Sequence, residues 1–116
     1  MPKISHSRKL SDPALELIAA RFRALSEPTR LKLLMALEEG EKNVTDLVNA
    51  IGATQTNVSR QLSVLTTAGL LARRKSGLSV IYRIADPGIF DLCNHVCKSL
   101  QKRITQESEI FGVAAQ

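Results

Sequence analysis

Six polar side chains able to read the edges of base pairs fall close together in this chain: Gln55, Thr56, Asn57, Ser59, Arg60 and Ser63. They belong to the segment Thr54 to Leu71, TQTNVSRQLSVLTTAGLL. In a major groove arginine pairs with guanine, asparagine or glutamine with adenine, and a hydroxyl with either. Val58, Leu62 and Leu65 recur at spacings of four and three, so a helix here has one apolar face that must be buried. Measured from Val58 at about 100° per residue, Thr56, Arg60 and Ser63 project from the opposite face. Gln55, Asn57 and Ser59 lie along its margins. Thr54 suits the N-cap, where its hydroxyl accepts a bond from an amide of the first turn. An ordinary solvated helix face carries the same residue types, so the surroundings must decide between the two readings.

A second kind of contact follows the helix. Gly69 ends it, Leu70 to Lys75 reads as a strand, Ser76-Gly77 as a turn and Ser79 to Ile84 as the returning strand. Val80, Tyr82 and Ile84 alternate with Ser79, Ile81 and Arg83, as a half-buried strand requires. The hairpin tip carries Arg73, Arg74, Lys75 and Ser76, and its run of three basic residues fits phosphate contact. A purely solubilising edge remains open, because edge strands often carry Lys and Arg.

Thiol chemistry is the third possibility. The chain has two cysteines, Cys93 and Cys97, and two histidines, His6 and His95. Four residues apart on one helix, the cysteine β-carbons stand about 5–6 Å apart. A disulfide prefers roughly 3.5–4.5 Å, so forming one requires local unwinding. A soft metal ion or trivalent arsenic bound by two thiolates does not. Its third ligand would come from a partner chain or from the signal's own organic group. His95 points about 200° away from Cys93, so the run DLCNHVC makes no metal box on one face. Cys93 falls within an apolar stripe and Cys97 nearer its edge, so plain packing, in which free cysteine acts as a small hydrophobe, stands beside thiol sensing. Nothing in the chain suggests an enzyme. It lacks a glycine-rich phosphate loop, a spaced nucleophile–base pair and paired carboxylates in an apolar setting.

These groups have to be positioned by a mostly α-helical chain with a small β-hairpin wing. Its 116 residues make one domain, and the near absence of aromatic residues fits a core of Leu, Ile, Val and Ala. A net charge of +5 points to an anionic partner, nucleic acid ahead of membrane surface. No apolar run approaches the ~18 residues of a membrane span. The basic start MPKISHSRKLSDP lacks the apolar centre of a signal peptide, so a cytoplasmic protein with free thiols is expected.

Five helices are expected. Asp12-Pro13 opens the first, with Asp12 as N-cap, and Leu15, Ile18, Phe22 and Leu25 form its stripe. Pro28 starts the second, in which Leu31, Leu34 and Met35 define one apolar face and Leu33 and Leu37 another, the mark of a central helix. A short third helix, about Val44 to Ile51, turns through Gly52-Ala53-Thr54 into the fourth, which is the signature of a helix-turn-helix. Asp86-Pro87 caps the last helix, expected from about Pro87 to Gln106. The first and last helices offer more apolar surface than one small protomer can bury. Leu15, Ile18 and Phe22 with Ile89, Val96 and Leu100 are therefore expected at a two-fold dimer interface. The chain divides into a loose basic arm over 1–11, a winged helix-turn-helix domain with its dimerisation helix over 12–106, and a tail over 107–116.

In this order, the segments EPTRLKLL (Glu27–Leu34), NVSRQLSVLTTAGLL (Asn57–Leu71) and GLSVIYRI (Gly77–Ile84) make the chain resemble the ArsR/SmtB family. These are small dimeric winged-helix repressors of bacteria and archaea. The resemblance runs from about Pro13 to Leu100. It implies that the fourth helix enters DNA, that the hairpin is the wing, and that the first and last helices form the dimer. It also implies a repressor that leaves an inverted-repeat operator when a signal is sensed. The family's sensing sites do not carry over. Where one common site has a cysteine this chain has Asn43, a poor ligand for soft metals. The family's zinc site falls on Asp86, Gly88 and about Ser99 and Lys102, so one ligand of four survives and a lysine opposes the cation. The rival reading, a winged-helix module for protein–protein assembly, needs an exposed apolar patch where this chain has a basic face.

Overall fold

In the computed structural model, which describes residues 9–105, five helices and three strands follow one another. They are α1 (Asp12–Ala24), α2 (Pro28–Glu38), β1 (Lys42–Asn43), α3 (Val44–Ile51), α4 (Gln55–Thr67), β2 (Leu71–Ser76), β3 (Ser79–Ile84) and α5 (Ile89–Arg103). Arm residues 1–8, including His6, and residues 106–116 lie outside the described residues. The chain forms two units, one ending at Ala85 and the other beginning at Asp86.

In the first unit, short polar signals set where each helix begins. Ser11, rather than Asp12, caps α1, its hydroxyl accepting from the Ala14 amide at 3.2 Å. Asp12 then stands in the first turn, where a carboxylate favours the helix dipole. Glu27 caps α2 through a 3.0 Å bond from the Arg30 amide, and Asn43 caps α3 through a 2.8 Å bond from the Asp46 amide. Gly52 closes α3 in the left-handed region at φ 70°, which sends the chain sharply into α4.

The core of this unit is built by α2, α3 and α4, with Leu33, Leu34, Leu37, Leu47, Val58, Leu62 and Leu65 all buried. Each such side chain contributes about 1.5–3 kcal/mol relative to exposure. Met35 departs from expectation and is 65% exposed. It lies about 200° around the helix from both Leu33 and Leu37, so a helix committed to those two turns Met35 outward.

The sheet has three strands in the order β1-β3-β2, all antiparallel. β1 was not legible in the sequence: it is two polar residues, Lys42 and Asn43, pairing with Tyr82 and Ile81. The hairpin register also shifts by one from expectation. Ser76 pairs with Ser79, so the turn is Gly77-Leu78 rather than Ser76-Gly77, and the first strand starts at Leu71. Gly77 has φ 63°, the conformation that a tight two-residue hairpin turn asks of its first residue.

In the second unit, α5 begins at Ile89, two residues later than expected, with Gly88 at the N-cap and no side-chain cap bond. Asp86 acts before the helix, its Oδ1 accepting from the Gly88 amide at 3.1 Å. Among the described residues, no helix is long and apolar enough to cross a membrane.

Candidate nucleic-acid interface

α4 is fixed at both ends and along one side. Thr54 accepts from the Asn57 amide at 3.2 Å, as its N-cap role requires. At the other end Gly69 donates to the Thr66 carbonyl and Leu70 to the Leu65 carbonyl, both at 3.0 Å, which closes a Schellman motif. Gly69 is left-handed at φ 81°, and a β-carbon there would lie 3.5 Å from Nη2 of Arg21. Val58, Leu62 and Leu65 are fully buried.

With that side committed, Gln55, Thr56, Ser59, Arg60 and Ser63 are exposed, as their spacing predicts. The Arg60 guanidinium has no hydrogen-bond or ionic partner among the described residues. Arg60 and Ser63 also line an open groove of about 490 Å³ with Ala20 and Arg23 of α1.

Asn57 behaves differently. It is half-buried, and its Oδ1 accepts from Gln61 Nε2 at 3.2 Å. Gln61 in turn accepts from Arg30 Nη1 at 2.6 Å. Arg30 also donates from Nε to the Ala24 carbonyl at 2.8 Å and from Nη2 to the Arg23 carbonyl at 3.1 Å. Sequence reasoning missed Gln61, a polar residue that is only 9% exposed. The signal was its angle: three residues after Val58 it lies about 60° from that side chain, inside the apolar sector.

The wing's basic run does not act as one group. Arg73 stands opposite Tyr82 and Lys75 opposite Val80, whereas Arg74 stands opposite Ile81, so strand alternation puts Arg74 on the other face of the hairpin. There it is bound by Glu41, Nη2 to Oε1 at 2.7 Å. The hydrogen bond from Arg74 holds the Glu41 carboxyl below the usual carboxylate range, and the charges of Arg74 and Arg83 act in the same sense. Arg73 and Lys75 are exposed and have no partner among the described residues. The tip itself carries Leu78, which is fully exposed.

On α5, Cys93 and Cys97 form no disulfide and are both half-buried, and His95 is exposed. Among the described residues no three His, Cys, Asp or Glu side chains come together in a way that could hold a metal ion. Asn43 and Asp86 are occupied as caps of the backbone. The two terminal helices each keep apolar surface. In α1, Leu15, Ile18 and Phe22 are 42–50% exposed. In α5, Val96 and Leu100 are 49% and 43% exposed, whereas Ile89 is already buried within the chain and has little surface to offer a partner.

Residues 27–73 match the family model described as bacterial regulatory protein, arsR family. An uncharacterised HTH-type transcriptional regulator of Mycobacterium tuberculosis is 39% identical over 83 residues, covering 71% of this chain and 73% of that one. The solution structure of a homodimeric winged helix-turn-helix DNA-binding domain from Mycobacterium bovis, a possible ArsR-family regulator, superimposes with a TM-score of 0.71 at 31% identity. It covers 80% of this chain and 93% of that one. A probable mercury resistance operon repressor of Streptomyces lividans is 41% identical over 71 residues, 61% of this chain and 57% of that one.

Proposed function

The chain belongs to the arsR family of bacterial regulatory proteins, and from that premise we propose that it grips an inverted-repeat operator as a homodimer and releases it when a thiophilic signal reaches the last helix. The family makes it a DNA-binding transcriptional regulator rather than an enzyme. The observation that carries the DNA reading is the polar outer face of α4 with the unpartnered Arg60 at its centre. Val64 is the one large apolar residue exposed on that helix, at 36%, too little for a protein-docking face. Gln55, Thr56, Asn57, Ser59, Arg60 and Ser63 face the major groove, and the wing reaches phosphate.

Within the wing, Arg73 and Lys75 are the phosphate contacts and Arg74 is held back by Glu41. Arg73→Ala or Lys75→Ala should weaken every DNA sequence alike and lower the salt slope by about one unit each. Arg74→Ala should do less, and Glu41→Gln should tighten non-specific binding by freeing Arg74. Affinity measured against salt on operator and random DNA checks this. A loss for Arg74→Ala as large as for its neighbours removes Glu41 from the account.

The signal is the second part of the proposal. The mercury repressor among the relatives is named for a thiophilic metal. Among the described residues no three side chains of this chain form a metal site, and the donor set on α5 is the two thiols Cys93 and Cys97, which suit a thiol-seeking agent. Trivalent arsenic bound through both sulfurs, completed by a partner-chain or organic ligand, fits that donor set. The test titrates the operator complex with arsenite, cadmium, zinc, peroxide and polysulfide, in the parent and in Cys93→Ser, Cys97→Ser. At least one agent should release the parent and leave the double variant bound. If both respond alike to every agent, the thiols only pack and sensing lies elsewhere.

A further inference from the structure

The geometry points to a polarity relay, Arg30 to Gln61 to Asn57, that fixes which hydrogen-bonding group Asn57 shows to DNA: its amide NH₂, never its oxygen. The inference rests on the proposed placement of α4 in the major groove.

A guanidinium has five N–H donors and no acceptor. Two of Arg30's bonds go to the Ala24 and Arg23 carbonyls at the end of α1, which fixes the plane of the group. Its Nη1 therefore meets Gln61 only as a donor, and the Gln61 oxygen must face it, at 2.6 Å. That choice turns the Gln61 NH₂ toward Asn57. Asn57 can then only accept, and it does so through Oδ1 at 3.2 Å. What remains at the outer end of Asn57 is Nδ2, which has no partner among the described residues. Each step follows from the one before, because an amide carries its donor and acceptor at opposite ends.

Burial keeps the relay from reversing. Gln61 is 9% exposed, so water has little access with which to compensate a flipped amide. Asn57 is the third residue of α4, in the N-terminal turn that meets base edges in helix-turn-helix proteins.

The consequence concerns specificity. Asparagine reads adenine bidentately by donating to N7 and accepting from N6. An Asn57 whose oxygen is turned toward Gln61 does not present that oxygen and its NH₂ side by side to one adenine. It can still donate, and guanine, with acceptors at both N7 and O6, is the edge that suits it. Arg30 thereby sets base preference while touching no base, acting as a positioning residue through Gln61.

The test exchanges the middle of the relay for an isostere of the opposite polarity. In Gln61→Glu one carboxylate oxygen still accepts from Arg30, and the other can only accept from Asn57. Asn57 must turn its NH₂ inward and its oxygen out. Base preference is read by selection from an operator with randomised half-sites, using the parent, Asn57→Ala, Gln61→Glu and the double variant. Asn57→Ala should relax preference at one base pair per half-site. At that pair Gln61→Glu should move preference from guanine toward cytosine or adenine, which offer amino donors, changing the ratio by about tenfold or more. The double variant should lose the change. The added charge weakens all sequences together and cancels in the ratio.

If Asn57→Ala alters no position, Asn57 touches no base, and both its groove placement and the relay fall. If it alters one position that Gln61→Glu leaves as in the parent, only the relay falls. Side-chain amide exchange in the parent gives a check that needs no variant to fold. Gln61 Nε2 protons should be protected and Asn57 Nδ2 protons exchange freely, and the reverse pattern overturns the relay.

Discussion

Leu100→Glu is expected to turn the protein into a monomer and to lower its operator affinity by about 10²–10⁴-fold, the gain lost when the second DNA-binding unit is no longer tethered. α1 has 13 residues, and Ala24 is the one of them that is buried. α5 has 15, and Ile89 is the one that is buried. Helices of this length are marginal in water without an apolar face to cover, yet Leu15, Ile18, Phe22, Val96 and Leu100 all stay 42–50% exposed. In the homodimer proposed above, a second copy of the chain would supply the missing cover. A carboxylate at the centre of such an interface has no partner and would have to be desolvated, which costs more than the contact returns. Val96→Glu should act in the same way, and Phe22→Glu should reach the same outcome from the other helix. Met35→Glu is the control: Met35 is more exposed than any of them but lies on α2, and it should leave the dimer intact. Light scattering at micromolar concentration gives the assembly state, and circular dichroism shows whether the helix-turn-helix remains folded. A Leu100→Glu protein that is still dimeric, or a monomer that binds one half-site as tightly as the parent binds two, would sink the proposed interface.

What the sequence revealed and what it hid divide along one physical line. Helical periodicity is local, so Val58, Leu62 and Leu65 announce the buried face of α4, and Thr54 and Gly69 mark its ends, from the sequence alone. Pairing across the chain is not local. The Ser76–Ser79 register that makes Gly77-Leu78 the turn depends on which strand residues oppose each other, and a glycine next to a serine does not specify it. β1 is too short and too polar to carry an alternation, and only Tyr82 and Ile81 across from it make it a strand. Arg74 looked equivalent to Arg73 and Lys75 until its partner appeared at Glu41, 33 residues earlier. Gln61 was concealed by its type: amphipathic reading assigns polar residues to solvent, and only its bond from Arg30 explains why an amide lies inside. Of the proposed DNA face, the exposed positions were legible and the couplings between them were not.

Arg60→Ala is expected to cost ~1–3 kcal/mol on the specific operator, about 5–150-fold in affinity, and to flatten discrimination at one base pair. The neighbouring hydroxyls of Thr56, Ser59 and Ser63 should each cost less, because a single neutral hydrogen bond has a net worth nearer 1 kcal/mol. Two properties single out Arg60. Its guanidinium makes no bond within the described residues, so none has to be broken on binding. Its place opposite the buried Val58 aims it outward from the centre of the helix face. Arg30, by contrast, has Nε, Nη1 and Nη2 each bonded within the chain. The competing account is that Arg60 holds a phosphate. That account expects operator and random DNA to weaken equally and the salt slope to drop by about one unit. Arg60→Lys separates the two, since lysine keeps the charge but not the planar fork that engages guanine at two atoms. Full retention of affinity and of base preference in Arg60→Lys would place Arg60 on the backbone, and the reading of bases would then fall to the amides and hydroxyls alone.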